Sequence, residues 1–143
     1  MGLLIDSNIF IAAERFRQSG GLAALLDQIP AEYASDEALI SVITASELEL
    51  GVHRAEDAHR RERRRAFVEA IFAQFGTVPI DMRVARCHAH LAAQLMAVGQ
   101  MIGTHDSWIA ATGVACGHAI VTANVSEFGR VPGLSVIQVM VPS

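Results

Sequence analysis

The sequence predicts an α/β fold with a mostly parallel central sheet of four to five strands and helices on both faces, a three-layer α/β/α arrangement. Three observations predict it. Short apolar runs of strand length alternate with longer segments of helical period. The first run, Gly2-Leu3-Leu4-Ile5, carries no charge before Asp6, as expected of a strand buried on both faces of a parallel sheet. Glycines such as Gly51, Gly76, Gly99 and Gly117 punctuate the boundaries between segments.

In chain order, Ser7 to Phe16 reads as a helix with Ile9, Phe10, Ala13 and Phe16 on one stripe, broken at Ser19-Gly20-Gly21. Leu22 to Asp27 is a second, short helix. Leu39-Ile40-Ser41 is a strand, and the next helix begins around Thr44 and stops near Gly51. Ala55 to Phe75 forms a long helix, charged at first and then carrying Phe67, Ile71, Phe72 and Phe75 at core spacing, with Gly76 ending it. Thr77 to Ile80 is a brief strand whose Pro79 places it at an edge or at its own end. Asp81 caps a helix with Val84, Cys87 or His88, Leu91, Leu95 and Val98 on one face. Ser107 to Cys116 is an apolar helix entered through Thr104-His105-Asp106, His118 to Thr122 a strand, Asn124 to Pro132 a loop with one helical turn, and Leu134 to Val141 the last strand. No repeat, linker or low-complexity segment interrupts the series, so residues 1–143 are expected to form one domain.

A chain of 143 residues buries about two thirds of its unfolded surface and needs no staples to fold. The formal charge of −4 gives no global field for non-specific nucleic-acid binding, so any such contact has to be local. All eleven basic residues are arginine, and six of them lie between Arg54 and Arg65. No apolar run reaches the length of a membrane span. Cys87 and Cys116 lack CxxC spacing and sit in apolar patterns, which fits buried thiols in a reducing compartment; with no secretory pattern at the N-terminus, the expected location is cytoplasmic.

Three carboxylates sit where charge is least expected. Asp6 ends the first strand, Glu47 lies among Ala45, Leu48 and Leu50, and Asp106 precedes Trp108-Ile109-Ala110-Ala111. Two readings of Asp6 stand side by side: a helix cap, or a catalytic group in the crevice beyond the carboxyl ends of the strands. Burying an unpaired carboxylate costs several kcal/mol, so such a set requires arginines or a cation to neutralise it. Oxygen-only ligands suit Mg²⁺ or Mn²⁺, and no His/Cys set has zinc spacing. A cation held this way supports phosphodiester hydrolysis.

Four segments sharpen this reading. Leu4-Ile5-Asp6-Ser7-Asn8, Ile40 to Gly51 around Thr44 and Glu47, Ile102 to Ala111 around Asp106, and Val121 to Leu134 together resemble a PIN domain of the VapC toxin type, in the family's order and spacing. The resemblance implies a PIN-like α/β/α domain acting as a Mg²⁺-dependent endoribonuclease, with Mn²⁺ as a substitute. It implies the toxin half of a toxin–antitoxin pair, commonly a homodimer, partnered by a VapB-type antitoxin that alone contacts operator DNA. Asp6, Glu47 and Asp106 match the family's acidic ligands, and Asn8 the polar residue that orients the first Asp. At the fourth position, where the family often has an acid, this chain offers Asn124 and then Glu127. Asn124 is expected near the site and Glu127 as an outer ligand.

The remaining candidates have two readings each. Thr44 reaches the substrate or caps its helix. His105 is a proton donor or an exposed loop residue. Arg60, Arg61 and Arg64 contact RNA, form a charged helix face paired with Glu56, Asp57, Glu62 and Glu69, or bind an acidic stretch of an antitoxin. Trp108 is core or interface. The alternative function, prompted by Asn124, is a PIN-fold module that binds RNA or protein without catalysis.

Overall fold

A computed structural model of the chain describes residues 1–142. The strands are β1 (Gly2–Ile5), β2 (Glu37–Ser41), β3 (Gly76–Val78), β4 (Ala119–Thr122) and β5 (Val136–Gln138). The helices are α1 (Ser7–Arg15), α2 (Gly21–Leu26), α3 (Val42–His53), α4 (Ala58–Gln74), α5 (Met82–Ala97), α6 (Thr104–Cys116) and α7 (Val125–Phe128). The sheet has five strands in the order β3-β2-β1-β4-β5, and every neighbouring pair is parallel. Pro79 lies just past β3, an edge strand, where a missing backbone donor costs nothing.

The pleat explains the layers. Leu3 and Ile5 point to one face and join Ile9, Phe10, Leu48, Val52, Val68 and Ile71 from α1, α3 and α4. Leu4 and Ile120 point to the other and join Val84, Leu91, Leu95 and Ile109 from α5 and α6. Both faces of β1 and β4 are thereby buried, which is why each reads as an unbroken apolar run. No helix among the described residues is long and apolar enough to cross a membrane.

Several boundaries differ from the sequence reading, each for a local reason. α3 starts at Val42, not Thr44, because the Ser41 hydroxyl accepts the Ile43 N–H at 2.9 Å and caps the helix. It continues through Gly51 to His53, since the Gly51 carbonyl finds the Arg64 guanidinium at 3.0 Å and the helix packs on α4. α4 begins at Ala58 because Asp57 caps it through the Arg60 N–H, and Gly76 opens β3 instead of closing α4. α6 takes in Thr104, so Asp106 and His105 belong to its first turn and not to a loop. Val98 falls just beyond α5 and is 68% exposed. Cys87 and Cys116 are half-buried free thiols. The expected cap at Asp81 is present, accepting the Val84 N–H at 2.9 Å.

α6 lies close to β4 at Gly113, where a Cβ would sit 3.0 Å from the Ile120 and Leu134 methyls and 3.1 Å from the His118 carbonyl. Gly113→Val should therefore lower stability by about 1–3 kcal/mol through overpacking. The reading is a reduced urea midpoint at constant m-value; an unchanged midpoint would show that α6 can lift without cost.

Candidate active site

β1 and β4 are neighbours, and the chain leaves them for opposite faces of the sheet, so the crevice at their carboxyl ends is the switch point of the fold. Asp6 ends β1 there and is 3% exposed. Its backbone N–H extends the ladder to the Val121 carbonyl at 2.9 Å. Although Asp6 occupies the N-cap position of α1, its side chain makes no capping hydrogen bond. The carboxylate instead accepts the Thr122 hydroxyl at 2.8 Å, so the capping reading fails for the side chain.

Thr122 is the residue sequence reasoning missed. Its oxygen accepts from the Asn124 backbone N–H at 2.9 Å and from the Asn8 amide at 3.4 Å. With both acceptor positions filled, its own proton has to go to Asp6. Asn8 thus orients the first aspartate through Thr122 and through the Ala123 N–H, not by touching it. A Thr at the end of a β-strand is ordinary in sequence, so no local signal marks it.

The other acids reach the same hollow from different elements. Glu47 lies in the second turn of α3, Asp106 in the first turn of α6 and Glu127 in α7. Burial pushes the Asp6 carboxyl up to about 6, against the Thr122 hydrogen bond, with the Glu47 charge adding to the rise. Burial also raises Asp106, to about 7, with further contributions from a hydrogen bond to Glu127 and from the charges of Asp6, Glu127 and Glu47. Glu127 is held below its usual range, first by the Gly103 N–H and then by the Asn124 amide. In the Asp106–Glu127 pair the proton therefore resides on Asp106. The Asn124 amide nitrogen lies 2.7 Å from Glu127 and 3.5 Å from Asp106, which places a neutral donor between the two acids.

No arginine among the described residues pairs with Asp6, Glu47 or Asp106; the nearest cationisable group is His105, 3.7 Å from Glu47 and 62% exposed. Two buried oxygens have no partner at all, Thr44 Oγ1 and Glu47 Oε1, three residues apart on one face of α3. Thr44 is not the cap, which Ser41 supplies. Each such orphan costs about 1–3 kcal/mol. Orphaned oxygens beside destabilised carboxylates, with oxygen as the only donor type, fit a hard divalent cation. Among the described residues no three Asp, Glu, His or Cys side chains are drawn together closely enough to hold an ion as they stand.

Arg60, Arg61 and Arg64 form no ion pair with these acids. Arg60 pairs with Glu56 at 3.1 Å, Arg61 donates to the Ala55 carbonyl, and Arg64 pairs with Glu14 at 2.9 Å. Trp108 packs against the second core and stacks on His88 with ring centroids 3.7 Å apart. His88 also bonds Ser107 at 3.0 Å, and burial lowers its pKa, so a neutral ring serves as packing.

A parallel α/β/α sheet that gathers unpaired acids at its switch point defines the class of protein: a hydrolytic centre built on oxygen ligands. The family model for the PIN domain matches residues 3–134. Ribonuclease VapC1 of Rickettsia felis is 34% identical over 139 residues, covering 97% of each chain, and Ribonuclease VapC of Rickettsia bellii is 32% identical with the same coverage. The crystal structure of VapBC2 from Rickettsia felis bound to a DNA fragment from their promoter has the same fold, with a TM-score of 0.84 at 21% identity, covering 98% of this chain and 100% of that one. The chain belongs to the PIN-domain family, among the VapC ribonucleases, and is a nuclease.

The raised carboxyls predict a pH dependence. Asp6 and Asp106 bind protons more tightly folded than unfolded, so their contribution to stability is full below about pH 4 and is lost as pH rises through about 6 to 7. In chelator, stability should fall between pH 5 and pH 7.5 by roughly 1–2 kcal/mol, allowing for the half-exposed position of Asp106. Thermal melts of the unmodified chain and of Asp6→Asn/Asp106→Asn check this. A fall of the same size in the double variant would assign it to other groups.

Proposed function

We propose that this chain is a Mg²⁺-dependent endoribonuclease, the toxin of a toxin–antitoxin pair, in which residues 1–143 act as one domain. The observation that carries the reading is the convergence of Asp6, Glu47 and Asp106 at one sheet edge with no arginine to neutralise them and with Glu47 Oε1 left unpartnered. Asp6, Glu47 and Asp106 are the residues that would hold Mg²⁺ or Mn²⁺, with Glu127 as an outer ligand and Asn124 beside it. When bound, such a cation supplies Lewis acidity toward a phosphoryl oxygen and lowers the pKa of a water.

The chain's own groups do the rest. Thr122 and Asn8 fix the Asp6 carboxylate in one orientation, so it meets its ligand without reorganisation. Asp106, raised to about 7 by burial and its neighbours, is the group from which a bound cation would displace a proton. The buried apolar floor beneath Asp6 excludes water and strengthens each of these interactions.

The R. felis VapBC2 complex, bound to a DNA fragment from its promoter, supports a VapB-type antitoxin as partner, and operator DNA is expected to be contacted through that antitoxin. A second copy of this chain is the other expected partner. The relatives named as ribonucleases support RNA as the substrate.

Purified protein incubated with structured RNA should cleave it in Mg²⁺ or Mn²⁺ and not in excess chelator. Asp6→Asn, Glu47→Gln and Asp106→Asn should each slow cleavage roughly a hundredfold or more, the scale of losing one preorganised electrostatic contact. Cleavage that persists in chelator would overturn the reading.

Metal should also stabilise the fold, by about 2.7 kcal/mol at a hundredfold excess over Kd, with protons released on binding. Absence of any metal-dependent rise in melting temperature, together with absence of cleavage, would instead make the chain a binding module.

A further inference from the structure

Of the arginines that form no ion pair among the described residues, three, Arg15, Arg17 and Arg63, meet at one cavity. Arg15 and Arg17, at the end of α1 and in the turn after it, line a cavity of about 710 Å³ together with Arg60, Arg63 and Arg64 of α4. Five of the chain's eleven positive charges line this basin, against a single acid, Glu14. A chain of net charge −4 thus carries one strongly basic concavity. Glu14 is already taken by Arg64, and Arg60 by Glu56 and Asp57. Arg15, Arg17 and Arg63 have no ion-pair partner among the described residues, and all three are exposed. They come from segments more than forty residues apart in sequence, so this is not the solvated face of one helix.

The basin continues toward Glu47. An apolar groove of about 190 Å³, walled by Phe10, Leu48, Phe67 and Val68, has Glu47 on its lining. Ile11, Glu14 and Arg64 belong to both cavities. From Asp6 to Arg15 the path follows α1 for nine residues, about 14 Å.

We infer that this basin binds backbone phosphates of the RNA substrate a few nucleotides from the cleaved bond, and the inference rests on the ribonuclease reading above. An acidic hollow repels a polyanion, so affinity has to come from positive charge elsewhere on the same surface. The planar guanidinium fork matches phosphate oxygens. That path of about 14 Å places the basin a few nucleotides from the carboxylates. The continuity of groove and carboxylates favours the polymer that is cut there over an acidic protein segment. Arg15, Arg17 and Arg63 are then the principal RNA contacts, in place of Arg61, which is spent on the Ala55 carbonyl.

Fluorescence anisotropy of the full chain with a single-stranded RNA of about twelve nucleotides, in EDTA and over a range of salt, tests this. Arg15→Gln/Arg63→Gln should weaken binding about tenfold or more and reduce the slope of log affinity against log salt by about 1.4, two phosphate contacts' worth. Arg17→Gln should act in the same direction. Cleavage of a dinucleotide in Mn²⁺, too short to reach the basin, should proceed at the unmodified protein's rate. Unchanged RNA affinity and salt slope in both variants would overturn the inference. So would retained RNA binding with lost affinity for a polyglutamate peptide, which would assign the basin to an acidic protein segment. If the unmodified chain binds RNA through the basin yet cleaves neither substrate, the basin stands and the nuclease mechanism falls.

Discussion

A carboxylate fixed at the end of the central strand, under apolar side chains and with no cation of its own, is the constraint on which the rest of the structure depends. Asp6 cannot swing away from its neighbours. Its N–H is committed to the β1–β4 ladder and its carboxylate to Thr122, whose own acceptor positions are filled. Its burial is therefore not relieved by rotation, and at Asp6 and Asp106 burial first, with neighbouring carboxylates adding to it, makes carboxyls that hold their protons toward neutral pH. The fold keeps an electrostatic cost in place that any oxygen-seeking cation would remove.

The three layers divide this work. α3 rises from one face of the sheet and α6 from the other, yet both lead their acids to the same carboxyl edge, because every strand runs in the same direction. Glu127 ties α7 to the Gly103 loop that leads into α6, so the fourth acid also positions the third. Most of the arginine-rich helix serves the scaffold. Arg64 joins α4 to Glu14 and to the last turn of α3, Arg65 joins it to Glu49, and Arg61 closes the turn before it. Arg15, Arg17 and Arg63, exposed and without ion pairs, meet at one basin beside the apolar groove, which gives an acidic protein a surface on which a polyanion can rest.

The alternation of strands and helices, the cap at Asp81, and the buried character of β1 and β4 follow from local periodicity and from turn and cap chemistry, and all are legible in the chain. Asp6, Glu47 and Asp106 are legible for a related reason: a carboxylate inside an apolar run is costly enough to require an explanation wherever it occurs. Gly51 misleads, because a glycine near a boundary looks like a terminator until packing decides whether the helix continues past it. Thr44 misleads in the same way, since the hydroxyl three residues earlier, on Ser41, is better placed to cap.

The sequence by itself determined the order of the elements and the identity of the acids, because both depend on interactions within a turn or two of chain. Only the tertiary structure decided that these acids share one hollow, that Thr122 and not Asn8 holds Asp6, and which arginines keep their charge unpaired. Each of those outcomes depends on which groups meet across dozens of residues, and a hydrogen-bond donor or a counter-ion is assigned by proximity in space, for which periodicity along the chain carries no signal.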